Sequence, residues 1–156
     1  MTLDALLCIG GHDGSSDVAS VESLYLDQKN ESAATVISPL LSERSGFGIV
    51  ALQSLPLDLT SAEHGDALLL VGGCKGADSL ATVESLRMPT RTWHAVAPLL
   101  EPRSAPCAGL IGRSVVVCGG FNGRPLANIE IRDDARDTWR FGPSMTHARC
   151  SFGMVE

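Results

Sequence analysis

Three short apolar runs in this chain each stop at a pair of glycines. They are Leu6-Leu7-Cys8-Ile9 before Gly10-Gly11, Leu68-Leu69-Leu70-Val71 before Gly72-Gly73, and Val115-Val116-Val117-Cys118 before Gly119-Gly120. A motif that returns in this way marks one supersecondary unit used several times, and this constrains the fold more than any other feature. Four apolar residues are too few for a stable helix, and the β-branched run Val115-Val116-Val117 favours strand. A strand apolar at every position has both faces covered. The glycine pairs supply positive φ and let neighbouring backbone approach without a Cβ.

The repeat continues past the glycines. Each pair leads into a polar loop and then into Val21-Glu22, Val83-Glu84 or Ile129-Glu130. Trp93 and Trp139 follow in the second and third copies, and Arg103 and Arg149 each stand ten residues after a Trp. Arg44 stands ten residues after Ala34, which takes the Trp position of the first copy. Gly73 and Gly120 are 47 residues apart, whereas Gly11 and Gly73 are 62 apart. The excess lies mostly between Arg44 and Gly73, which predicts an insertion over 53–65, with a smaller part between Glu22 and Ala34.

A period near 50 with paired glycines, a downstream Glu and a Trp resembles the kelch repeat, one four-stranded propeller blade per copy. The resemblance implies an all-β, kelch-type β-propeller of three four-stranded blades, a partial or half ring. Strand b ends in the glycine pair, strand c carries the Val-Glu or Ile-Glu step, strand d starts at the Trp, and strand a follows the arginine. Expected blades are 1–43 completed by a terminal strand 149–156, 44–102 with the insertion, and 103–148. Leu86 and Arg132 depart from the Tyr that kelch blades usually carry. Pro39, Pro98 and Pro143 suit an outer strand d. The Trp rings fill the wedge between blades, about 200 Å² each, a place left to Val36 and Ile37 in the first copy. Gly10, Gly11, Gly72, Gly73, Gly119, Gly120, Glu22, Glu84, Glu130, Trp93 and Trp139 are thus the structural motif.

Antiparallel neighbours reverse direction, so the b–c and d–a loops share one face of the disc, and the insertion projects from the other. Kelch propellers commonly bind a protein in this way, and many select substrates for cullin-type ubiquitin ligases alongside BTB and BACK domains. The expected partner-binding residues are Arg44, Ser45, Arg103, Ser104, Arg149, Ser151, His12, Asp13 and Asn122. A guanidinium fork pairs with carboxylates, which suggests an acidic protein or peptide. The same arginines equally suit tying down the neighbouring loop. Three blades fall below the usual minimum of four and leave two faces bare, so a homodimer completing a six-bladed ring, a fragment of a longer kelch chain and an open arc all remain possible readings.

The formal charge of −6 is spread along the chain and argues against nucleic acid. Five cysteines without C-x-x-C spacing give neither a disulfide framework nor a zinc knuckle and fit a reducing, cytoplasmic setting. No apolar run approaches the length of a membrane span. Cys74 beside Lys75 has the setting of a reactive thiol or of an ordinary one, while Cys8, Cys107, Cys118 and Cys150 are expected to pack as small apolar groups. No catalytic residue, metal or cofactor is expected. A copper-radical oxidase needs two tyrosines, and Tyr25 is the only one. An iron-binding Glu/Asp/His series fails where Thr138 follows Glu130 and Asp134. A kelch-like sugar mutarotase or epimerase is the alternative.

Overall fold

A computed structural model describes residues 5–25, 34–52, 65–88 and 90–155. Among these there is no helix, and three antiparallel meanders dominate. The first joins β1 (Ala5–Ile9), β2 (Val21–Tyr25) and β3 (Ala34–Ile37). The second joins β4 (Gly48–Ala51), β5 (Gly65–Val71), β8 (Val83–Met88) and β9 (Thr92–Val96). The third joins β10 (Cys107–Ile111), β11 (Ser114–Cys118), β12 (Ile129–Asp133) and β13 (Thr138–Phe141). A two-stranded ribbon, β6 (Cys74–Lys75) with β7 (Asp78–Ser79), occupies the loop between β5 and β8.

These are kelch blades in the expected order, with strand b buried on both faces in the second and third blades but not in the first, where Leu6 and Cys8 are exposed. Leu69, Leu70, Val71, Val115 and Val117 are wholly buried. Trp93 lies opposite Leu86 and Trp139 opposite Arg132 across the c–d pairs. Ala34 lies opposite Leu24 in the same relation, so counting back from Arg44 placed it correctly. The prolines fall just past the ends of the d strands and are exposed.

Packing between blades forms two clusters. Val21, Ile37, Leu40, Leu68, Leu70, Leu86 and Trp93 close the first blade onto the second. Leu69, Val71, Val83, Leu99, Val115, Val117 and Trp139 close the second onto the third. Each Trp therefore fills the wedge assigned to it, and Ile37 contributes on the first blade as expected. The side chains of Ala34 and Val36, and the insertion apart from Gly65, lie outside the described residues.

The first meander departs from the four-stranded expectation: β1 pairs with β2, and no inner strand lies beside it among the described residues. The segment expected to complete it, 149–155, lies instead against the third blade, where Met154 reaches Cys118 and the space beside Gly109. The inner strands run side by side in chain order, so this segment continues the spiral past β10. One chain of three blades leaves β1 at the other end of that spiral. Cys8 is exposed on the uncovered β1, contrary to expectation, whereas Cys118 is buried and Cys107 and Cys150 are half-buried.

Candidate functional site

The face shared by the b–c and d–a loops is built on the glycine pairs. In each copy the first glycine has φ between +50° and +62° and the second between +99° and +103°. At Gly72 an added Cβ would lie 2.5 Å from the Arg103 carbonyl oxygen, so the turn carrying Arg103 sits directly on this glycine. The Gly73 amide donates to that same carbonyl at 2.8 Å, as Gly11 does to Arg44 and Gly120 to Arg149, both at 2.9 Å. Every d–a turn is thereby laid onto the glycine pair of the blade before it.

Two of the three arginines then point inward. Arg103 is wholly buried, and its Nε and Nη2 donate to Glu130 Oε1 at 3.0 and 2.9 Å. Its Nη1 donates to the carbonyls of Gly119 and Asn128 at 2.7 and 3.1 Å. Glu130 also accepts from the Leu100 and Glu101 amides at 2.7 and 3.2 Å. Arg44 repeats the arrangement with Glu84, the carbonyls of Gly72 and Thr82, and the Thr82 hydroxyl. Burial pushes the Arg44 guanidinium pKa down, partly offset by the attraction of Glu84. Of the two roles open to these arginines, Arg44 and Arg103 take the loop-tying one, with no surface left for a partner. Arg149 is exposed, its guanidinium 5.7 Å from the centre of the Phe152 ring.

The remaining expected residues lie near the surface. His12, Asp13, Asn122 and Ser151 are exposed, and Ser45 and Ser104 half-buried. Ser45 bridges to Cys74 and Ser104 to Phe121, which ties each d–a turn to the b–c loop of its own blade. Ser151 stands one place later in the turn: its φ of 54° matches Gly46 and Ala105, and its amide donates to the Ala105 carbonyl, whose own amide donates to Gly46. Cys150 is thus the counterpart of Ser45 and Ser104.

Neighbouring loops are also sewn to each other by residues that the repeat does not single out. Asp17 accepts from the Gly76 amide at 2.6 Å, and this bond together with the Ser45 hydroxyl lowers its pKa. The Ser79 hydroxyl donates to the Phe121 carbonyl at 2.9 Å, and Lys75 pairs with Glu43. Asp13 accepts from the amides of Ser15 and Ser16 and from the Ser15 hydroxyl, which lowers its pKa to about 2. Phe121 stands 39% exposed among these polar loops. Cys74 is half-buried, its Sγ 3.4 Å from Ser45 Oγ. Among the described residues no three His, Cys, Asp or Glu side chains converge as a metal site, and Glu130 is committed to Arg103.

The face is a set of rigid, exposed loop tips over a tied base, a geometry suited to protein docking. Comparison with known proteins agrees with the architecture. The model of the kelch motif matches residues 57–100 and 102–146. The influenza virus NS1A-binding protein homolog of Xenopus laevis is 31% identical over 110 residues, a match that takes in 70% of this chain and only 15% of that relative. On its repeats, its sheets and these matches, the chain belongs to the kelch-repeat family, whose domains bind protein partners.

Proposed function

We propose that this chain is a protein-binding module that docks its partner on the face formed by the b–c and d–a loops, and that it serves in substrate recognition for a cullin-type ubiquitin ligase in the cytoplasm. The observation that carries the docking face is its construction: His12, Asp13, Phe121 and Asn122 are exposed on loops whose bases are fixed by hydrogen bonds between blades. Fixed loops lose little conformational freedom when a partner binds. With Arg44 and Arg103 buried against carboxylates, a preference for acidic partners rests on the exposed Arg124 and Arg149, together with Lys75, which is paired with Glu43. An exposed aromatic ring next to the Asn122 amide, on a face that also carries the exposed His12, favours a mixed apolar and polar epitope. The ligase role extends what the kelch resemblance implies.

The test is affinity capture from cell extract, comparing the wild-type chain with a variant carrying Asp13→Ala, Phe121→Ala and Asn122→Ala. Proteins bound through this face disappear from the variant capture, while circular dichroism and a cooperative thermal transition show that the variant is folded. Their ubiquitylation should rise when the chain is overexpressed and fall when cullin modification is inhibited. An identical set of captured proteins from both chains refutes the docking face.

A further inference from the structure

Cys107 opens β10, Cys118 closes β11, and the strand register sets the two directly opposite each other. Facing residues of an antiparallel pair leave the sheet on the same side, with Cα atoms about 4.5–5.5 Å apart. Disulfides span about 4.4–6.8 Å between Cα atoms, so the backbone already has the separation of one. The second blade shows how close side chains come at this place. Its counterpart pair is Gly48 with Val71, and a Cβ built on Gly48 would lie 2.9 Å from Cγ2 of Val71. In a disulfide the Cβ of one cysteine lies about 3 Å from the sulfur of the other. A separation too short for two unbonded side chains in the second blade is thus the right one for a bridge in the third.

Both thiols are free. Cys118 Sγ lies 3.7 Å from Met154 Sδ, and the Met154 side chain also reaches to 2.8 Å from where a Cβ on Gly109 would stand, two residues along β10 from Cys107. The Cys118 sulfur therefore lies on the face of the sheet that Cys107 shares. Burial, and the charge Cys107 takes on when it ionises, push the Cys118 thiol pKa up, partly offset by Arg103. The pair is particular to the third copy: Gly48 and Gly153 stand where Cys107 does, and Ile9 and Val71 stand where Cys118 does.

We propose that Cys107 and Cys118 are a redox modification site, a dithiol that a small disulfide such as oxidised glutathione converts into a cross-strand disulfide. The Cys107 thiolate attacks one sulfur of the oxidant and releases one glutathione. The Cys118 thiol then gives up its proton and displaces the second glutathione from the mixed disulfide. Two protein thiols are oxidised, one external disulfide is reduced to two thiols, and no proton is gained or lost overall. The bond lies just beneath the loop face, since Cys107 follows the turn carrying Arg103 and Ser104, and Cys118 precedes Gly119 and Gly120. Closing it fastens that turn to the base of the loop that carries Phe121 and Asn122. The inference stands on the pairing of β10 with β11 and is independent of which protein docks above it.

Equilibration of the folded chain with oxidised glutathione, followed by alkylation, trypsin and mass spectrometry, tests it. Cleavage after Arg113 puts the two cysteines on different peptides, which should stay joined after oxidation, two hydrogens lighter, and separate again with dithiothreitol. The melting temperature should rise by on the order of 5 °C on oxidation, as for a bond that closes a short loop. Cys107→Ser, at a position where the neighbouring copies carry glycine, should keep its cooperative unfolding and lose the link. Cys118 joined to a different cysteine, or glutathione held on Cys107 with no internal link, would overturn the proposal. So would an oxidised chain that melts below the reduced one, because the bridge would then form only by distorting the sheet.

Discussion

Glu84 and Glu22 occupy the same step of strand c in neighbouring blades, and their surroundings differ in nearly every respect. Glu84 is buried, bonded to Arg44 and to the Leu41 amide, while Glu22 stands in the open. The strand beside each follows suit: Leu69 and Leu70 on β5 are wholly buried, whereas Leu6 and Cys8 on β1 are exposed. The same sequence motif is therefore a core element in one blade and a surface element in the next. Among the described residues the difference is the inner strand and its preceding turn beside the second blade, which bring both the counter-charge and the apolar cover.

The comparison can be broken most sharply at the charge pairs. Glu130→Ala strands the buried Arg103 guanidinium, and removing one partner of a buried pair costs about 3–5 kcal/mol. Glu22→Ala in the single chain falls within about 0.5 kcal/mol, the range of exposed positions. Denaturant unfolding of both variants checks the contrast. Equal losses would mean that Glu22 and Glu130 share an environment after all.

The glycines offer a smaller and separate contrast. Gly72→Ala combines an unfavourable φ of +62° with a Cβ placed 2.5 Å from the Arg103 carbonyl oxygen. The strained φ alone costs roughly 1–3 kcal/mol, and displacement of the turn adds to it. Gly76→Ala has nearly the same φ, +59°, with nothing within 4 Å, so it bears the first cost only. A lower melting temperature for the Gly72 variant than for the Gly76 variant is the expected result.

The smallest effect belongs to Asp13 in the open loop of the first blade. Its carboxyl is held at about 2, below the ordinary 3.8, by the amides of Ser15 and Ser16. A depressed folded-state pKa contributes stability that is complete above the unfolded value and is lost as pH falls through the folded one. The loss therefore falls between about pH 4 and pH 2. Asp13→Asn should flatten the fall in melting temperature across that window, and unchanged slopes would show that the loop hydrogen bonds contribute nothing.

Much of the fold was legible in the sequence because repetition multiplies weak signals. A single apolar run before a glycine pair means little, but three in phase with Val-Glu steps and tryptophans placed every described b, c and d strand. Even Ala34, without its ring, was located by counting from Arg44, and it pairs opposite Leu24 as the Trp residues pair opposite Leu86 and Arg132. The site was less legible. An arginine in a polar loop suits a partner's carboxylate and the protein's own equally well. The carboxylate that claims Arg44 lies 40 residues away and comes near only through the strand order. One signal was present: Glu22, Glu84 and Glu130 recur in step with Arg44, Arg103 and Arg149, as a repeated charge pair must. The bonds of Asp17 to Gly76 and of Ser79 to Phe121 join loops of different copies; both residues stand six places after a glycine pair, but an aspartate that accepts and a serine that donates share no residue type, so the repeat gave no sign of them.

The hydrogen bonds from Ser151 to Ala105 and from Ala105 to Gly46 run in one sense, each amide hanging on the carbonyl of the turn before it. They form a polar thread at the hub that gives the stack of blades a direction, like the lay of a rope. Prising two blades apart must cut this thread at the moment it opens the seam between them. The hub amides of Ala105 and Ser151 should therefore exchange with solvent only when whole blades separate, so that their exchange reports the coming apart of the stack rather than the fraying of any one sheet.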